Sequence, residues 1–351
     1  MSPPSSLRLT DAGLRRARVR GQWLSGRVPA DRSVDDVVGR LVGVQAQDAT
    51  AAALAIRARS RGLVAADVDA ARDDRRVVLT WSLRGTRHLH RAEDVRWLVG
   101  LVGSTFLRPS KRAEQLGIGG AAGDRAVQVL VDTLAAEGPL TRRQVKERLA
   151  PYGVDPSGQA AIHVIARAAL EGRLCVLPGD RYVLLDDWLG PPTATAPGVG
   201  ALARRYLAAF GPASVADFAT WSGLGPPAAR REWAAIEDET VEVGPGRWLL
   251  AADVDRAMAA ACRSAPTRLL GAFDSLLLAY ADRRLHLTPD HAALVNPGGG
   301  ILKPLVVVDG EVVGTWSRPR ARVEVAPFRD LTPAVADIAR EEKAVARFLG
   351  A

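Results

Sequence analysis

Two glutamines one residue apart, Gln45 and Gln47 in the stretch GRLVGVQAQDAT, have the spacing that first suggests chemistry. On a helix, positions i and i+2 lie roughly 200° apart, so the two amides could not converge. If the helix before them ends near Val44 and the chain extends, both side chains point the same way. A converging pair carries carbonyl acceptors and NH2 donors and can hold and orient a water. It cannot take that water's proton as a carboxylate would, so it suits a hydrolysis whose leaving group is already activated. The bland alternative is one buried and one surface glutamine bonded to backbone, and spacing alone favours it.

A second group lies in LTWSLRGTRHLHRAEDVRWLV, where Trp81, Arg84, Gly85, Thr86, His88 and His90 crowd together. His88 and His90 alternate onto one strand face, as two metal ligands would. No third ligand has a useful spacing, and His286 and His291 are too distant in sequence, so no metal is expected. Arg84 and His88, with Thr86 between them, are candidates for hydrogen bonding to phosphate or to the glutamines. A structural strand with a satisfied histidine explains the same residues equally well.

These residues need elements to position them. DRAVQVLVDTLAAE has Val127, Leu130, Val131 and Leu134 on one helical face, ended by Gly138. Thr141 is a plausible N-cap for a second helix, and a third is expected over roughly 158–171. RLCVLP and RYVLLDDW then read as strands joined by a Gly179-Asp180 turn. Three helices and a hairpin are the winged-helix order. The pattern recurs, aligning Gly211-Pro212-Ala213-Ser214 with Gly138-Pro139-Leu140-Thr141 and ending in a hairpin at Gly244-Pro245-Gly246. Pro191 to Pro197 reads as the linker. A divergent further copy is expected near the N-terminus, with Ser33 capping VDDVVGRLVGVQ and the wing formed by RRVVLTWSL and TRHLHR.

The last third reads as a small sheet, from RLLGAFDSLLLAYADRRLHL, KPLVVVDGEVVGTWSR and ARVEVAPF, with an Asp309-Gly310 hairpin turn. TPAVADIAREEKAVARFLG closes it as an amphipathic helix. The expectation is an α+β chain of three tandem winged-helix units with a C-terminal sheet and terminal helix. Its divisions are 1–110 with the Gln-Ala-Gln element, 124–190, 198–255 and 265–351.

Composition is that of an ordinary soluble protein, with 48% hydrophobic and 25% charged residues among 351. No apolar run is long enough to span a membrane, and the N-terminus has no apolar signal core, so a cytoplasmic protein is expected. Cys175 and Cys262 show neither disulfide nor zinc spacing. The net charge is +8, and all but four of the 47 basic residues are arginine. A polyanionic partner explains that balance, and a GC-rich coding sequence explains the arginine bias nearly as well. Winged helices normally contact duplex DNA, and their alternative use is as protein-contact scaffolds. Double-stranded DNA is the expected partner. No dimerisation helix is evident, so a monomer is expected.

Taken together, VGVQAQ, TWSLRGTRHL with AEDVRWL, GAFDSLLLAYADR and VVVDGEVVGTW resemble the tandem winged-helix DNA glycosylases, the AlkZ- and YcaQ-like crosslink-repair enzymes. The resemblance covers about residues 10 to 349. The family's catalytic element is Gln–apolar–Gln in the AlkZ-like branch and Gln–apolar–Asp in the YcaQ-like branch. Gln45-Ala46-Gln47 matches the first, and Asp48 is one position late for the second. The position before Thr80, often arginine in the family, is Leu79. The resemblance implies hydrolysis of the N-glycosidic bond of N7-alkylated purines, crosslinked ones included, by a water that Gln45 and Gln47 position. No cofactor is implied. No lysine lies near the glutamines in sequence to form a Schiff base, the nearest being Lys111, so a monofunctional glycosylase is expected. The rival is a non-catalytic winged-helix regulator.

Overall fold

A computed structural model describes residues 8–25, 32–192 and 195–350. Thr193 and Ala194 of the expected linker lie outside the described residues. The chain opens with α1 (Asp11–Gly21), α2 (Val34–Arg40), β1 (Val44–Gln45), α3 (Ala49–Arg57) and α4 (Ala65–Asp73). The hairpin β2 (Val77–Trp81) and β3 (Arg87–Arg91) leads into α5 (Ala92–Phe106) and α6 (Lys111–Gln115). The next winged helix is α7 (Gly120–Glu137), β4 (Leu140–Thr141), α8 (Arg142–Leu149), α9 (Ala160–Leu170), β5 (Leu174–Leu177) and β6 (Arg181–Leu184), followed by α10 (Leu185–Leu189). Its successor is α11 (Ala201–Phe210), α12 (Val215–Ser222), α13 (Pro226–Ala234), β7 (Thr240–Gly244) and β8 (Arg247–Leu250). The chain ends in α14 (Val254–Ala261), β9 (Arg268–Leu270), α15 (Ser275–Leu278), α16 (Ala292–Val295), β10 (Leu305–Val308), β11 (Glu311–Ser317), β12 (Glu324–Pro327) and α17 (Val335–Phe348).

The repeat seen in the sequence is a repeat of devices. Thr141 Oγ1 accepts the Gln144 N–H while the Gln144 side chain accepts the Thr141 N–H, a reciprocal cap that starts α8. Ser214 and Asp217 make the same exchange at the start of α12. Leu140 pairs with Tyr182 of the following wing, and Ala213 bridges Trp248 in the same way.

The chain divides into two compact units. The first comprises residues 1–68, 198–221 and 225–351, and the second 69–197 and 222–224. In the second, antiparallel strands lie in the order β3-β2-β5-β6-β4, with Leu79 opposite both Leu89 and Val176. Val78, Val95, Val99, Cys175, Leu177 and Val183 pack beneath them. The β2–β3 hairpin, read in the sequence as the wing of a segment 1–110, therefore adds to the wing of the central winged helix. Local sequence could not show this, because the partner strand lies almost a hundred residues away.

In the first unit, the C-terminal sheet has the order β12-β11-β10-β9, all antiparallel. Asp309 (φ 50°) and Gly310 (φ 76°) form its tight turn, the left-handed pair that a two-residue hairpin favours. Only Arg268–Leu270 of the first expected strand region is a strand. The following residues turn, and Asp274 caps the short helix α15 with its carboxylate on the Leu276 N–H. Val19 and Leu24 from the N-terminal region, with Leu54 and Ala58 from α3 and its end, complete the packing on either side of the sheet. The segment 265–351 thus shares its core with α1 and α3.

Candidate active site and nucleic-acid contacts

Gln45 and Gln47 follow a reversal of the chain. After α2, which Ser33 and Asp36 start with a reciprocal cap, Val42 takes φ 63° in the left-handed region. A β-branched residue rarely adopts that conformation, and holding it there costs on the order of 1–3 kcal/mol. The chain is then extended. Val44 and Ala46 turn inward and are buried, while Gln45 is half-buried and Gln47 exposed. The period of two that extension imposes puts both amides on the outward side. Gln45 Nε2 donates to Gln47 Oε1 at 3.2 Å.

Asp48, one residue further, serves the backbone. It is the N-cap of α3, and its Oδ1 accepts the Ala51 N–H at 2.8 Å. Capping uses this carboxylate at the positive end of the helix, where ionised oxygen is favoured.

The second unit assembles the other candidates. Arg84 (φ 55°) and Gly85 (φ 68°) form the tip of the β2–β3 hairpin, closed by Ser82 N–H to the Thr86 carbonyl at 3.1 Å. Thr86 Oγ1 donates to the Leu83 carbonyl at 3.2 Å. His88 Nδ1 lies 3.0 Å from the Thr86 carbonyl, which can only accept, so that nitrogen carries the proton. His88 Nε2 then accepts from Arg84 Nη2 at 3.3 Å. Burial, the Arg84 charge and His90 hold His88 well below the usual imidazole range, so it stays neutral. His90 Nε2 is 2.6 Å from Ser82 Oγ. The structure thus brings Arg84, Thr86 and His88 together. His88 is 1% exposed, so its reach to any ligand runs through the half-buried guanidinium it holds.

One support, Gly223, was not singled out in the sequence. Gly223 (φ 76°) packs so closely that a Cβ there would lie 2.9 Å from the Arg84 nitrogen and 2.6 Å from Phe106 Cζ. Leu79 is buried between its two partner strands, where an arginine would have no room for its charge. The signal for Gly223 was a glycine at the turn between two helices. Beside the hairpin tip, Arg84, Phe106, Ile118, His163, Arg167 and Leu170 help to line a cleft of about 640 Å³.

The helix that would read a groove in the central winged helix is α9. Ala160, Ala161, Val164, Ile165, Ala168, Ala169 and Leu170 are all buried. A groove-reading helix must present polar side chains to base edges. Its outward face carries His163, which is exposed, with Ile162, Ala166 and Arg167 half-buried.

Tandem winged helices, with an extended Gln-Ala-Gln segment in the first unit and an arginine-tipped hairpin in the second, place the chain among the winged-helix proteins. The family model described as DNA glycosylase AlkZ-like matches residues 38–350. An interstrand DNA cross-link repair glycosylase from Streptomyces sahachiroi is 30% identical over 344 residues, covering 89% of either chain. The solved structure of Streptomyces sahachiroi DNA glycosylase AlkZ is similar with a TM-score of 0.84 at 28% identity, covering 98% of this chain and 97% of that one. The chain belongs to the AlkZ-like DNA glycosylase family, hydrolases that act on N-glycosyl bonds. Among the described residues, no helix is long and apolar enough to cross a membrane.

Proposed function

We propose that this protein hydrolyses the N-glycosidic bond of N7-alkylated purines in duplex DNA, acting as a monomer and a monofunctional glycosylase. The observation that carries this reading is the Gln45–Gln47 pair, two amides bonded at 3.2 Å on one side of an extended segment. A purine alkylated at N7 is cationic. As the C1′–N9 bond breaks, its electron pair neutralises the departing base and leaves an oxocarbenium-like sugar. Water oxygen bonds to C1′, and its surplus proton passes to solvent. Little acid catalysis is needed, so oriented neutral dipoles supply what the transition state lacks. A side-chain amide can accept a water's hydrogen, which turns the oxygen lone pair outward towards C1′.

The arginine-tipped hairpin supplies phosphate contact in this reading. Arg84 carries the charge, neutral His88 holds its guanidinium, and Thr86 shapes the tip. Crosslinked purines are included in the substrate class because a relative of this chain is named for interstrand cross-link repair.

The test is a duplex carrying one N7-methylguanine, incubated with protein and then treated with alkali to cut any abasic site. An interstrand-crosslinked duplex runs beside it. Gln45→Ala or Gln47→Ala should slow single-turnover base release by about 10²-fold or more, the usual cost of losing one placed dipole at a transition state. Full activity in the Gln45→Ala/Gln47→Ala double variant would end the water-positioning role.

A further inference from the structure

We propose that a second, unassigned cleft in the first unit binds phosphate, and that DNA backbone flanking the reaction site supplies it. The cleft has a volume of about 680 Å³ and is lined by Arg57, Arg61, Arg268 and Arg347, with Glu341 and Phe348 among its other walls. Among the described residues of that lining Glu341 is the one acidic side chain, so four arginines face one carboxylate.

Glu341 is already committed. Its Oε2 accepts from Arg57 Nη2 at 2.9 Å and from the Leu269 N–H at 3.1 Å, and its Oε1 lies 3.3 Å from Arg268 Nη1. Two guanidiniums thus share one carboxylate. Arg57 is 8% exposed, and its Nε is buried without a hydrogen-bond partner. Burial pushes Arg268 below the usual arginine range, with Glu341 opposing and Arg57 and Arg59 reinforcing the shift. Arg61 and Arg347 are exposed and make no ion pair among the described residues. Four guanidiniums lining one cleft, against a single carboxylate that is already paired, fit an anion with several acceptor oxygens, and a phosphodiester is such a group.

Placement makes DNA the source. Helix α3 starts at the Asp48 cap beside Gln47 and ends at Arg57 in the cleft. Nine helical residues rise roughly 13 Å, about four base-pair steps of a duplex. One rigid helix therefore joins the glutamine pair to the cleft over a span that the same duplex covers. The inference uses the family's DNA substrate and is independent of the water-positioning role of the glutamines.

Arg61→Gln/Arg347→Gln is the variant of choice, because both side chains are exposed and make no ion pair among the described residues. Affinity for an undamaged duplex is measured from 50 to 200 mM salt, which involves no catalysis. Each lost phosphate contact should lower the slope of log affinity against log salt by about 0.9, so a fall of up to ~2 is expected. Arg61→Lys/Arg347→Lys should restore most of the slope. A parallel arm measures thermal stabilisation by inorganic pyrophosphate. Unchanged duplex binding, with pyrophosphate stabilising wild type but not the glutamine variant, would keep the phosphate site and overturn DNA as its source. If neither the salt slope nor the stabilisation differs between the proteins, the site is refuted. Loss of base release in the Gln45 or Gln47 variants leaves the salt slope untouched, so the two readings fail separately.

Discussion

Asp48 and Gln47 are neighbours in sequence, yet their side chains face different tasks. The carboxylate of Asp48 lies 2.8 Å from the Ala51 N–H and starts α3. If hydrolysis runs on oriented amides, that carboxylate has no chemical duty. Asp48→Asn keeps a capping oxygen of the same shape and removes any base, so folding should change by only a few tenths of a kcal/mol. Its base-release rate should match wild type. Asp48→Ala should lose about 1 kcal/mol of stability in a urea titration, with the rate at saturating DNA preserved. A folded Asp48→Asn protein that releases no base would move the chemistry from the amides to the carboxylate. Val42 belongs to the same scale. Its left-handed backbone reverses the chain three residues before Gln45, in a place where a helix end usually carries glycine.

At the scale of elements, the β2–β3 hairpin is stiffened by what lies against its tip. Gly223 closes on the Arg84 backbone with φ 76°, so Gly223→Ala meets both an unfavourable conformation and an atom 2.9 Å away. The expected loss is more than ~1 kcal/mol of stability. Displacement of Arg84 should also weaken duplex binding at low salt, read as an affinity change that Gly246→Ala, at an open wing turn, does not produce. Equal effects from both substitutions would mean that Gly223 does not position the hairpin. The elements themselves were largely legible in the sequence, because their punctuation is local. Ser33 and Thr141 cap the helices assigned to them, and Asp309-Gly310 turns the hairpin. The glutamine pair was legible as a spacing, but its convergence depended on where α2 stopped, and the left-handed Val42 has no sequence signature. Leu276-Leu277-Leu278 read as strand because a short apolar run has no usable period, although Asp274 before it was a cap. Nothing local could show that Leu79 would face Val176.

For the molecule as a whole, the arginine excess is divided between the interior and the exposed surface. Some of it is structural: Arg59 forms a buried bidentate pair with Asp274 at 2.8 Å, and Arg18 lies over the Tyr280 ring at 3.6 Å. That interior also contains His286, stacked on Tyr280, with Nδ1 2.8 Å from the Gly310 carbonyl and Nε2 buried without a partner. Burial, assisted by the Arg18 charge, pushes this imidazole down to about 3. The unfolded chain binds the proton from about pH 6.5 downward and the folded chain does not. The depressed value therefore favours folding above pH 6.5, and stability falls as pH drops from there towards 3. The slope is about 1.4 kcal/mol per pH unit for each such histidine, and His88 adds in the same direction. Asp282, held down to about 2 first by its bond to Arg284, loses its own contribution only below about pH 4. In the upper part of the interval from pH 6.5 to 4.5 the histidines dominate, because Glu137 and Glu239, each held below the ordinary carboxylate value by an arginine bond, begin to lose their contributions only near its lower end. Urea midpoints across it should fall steeply in wild type, and His286→Asn, whose amide can still donate to the Gly310 carbonyl, should flatten the fall by close to one proton. An unaltered slope in that variant would mean that His286 is protonated in the folded state, and that the stack on Tyr280 tolerates a charge its surroundings give no means to neutralise.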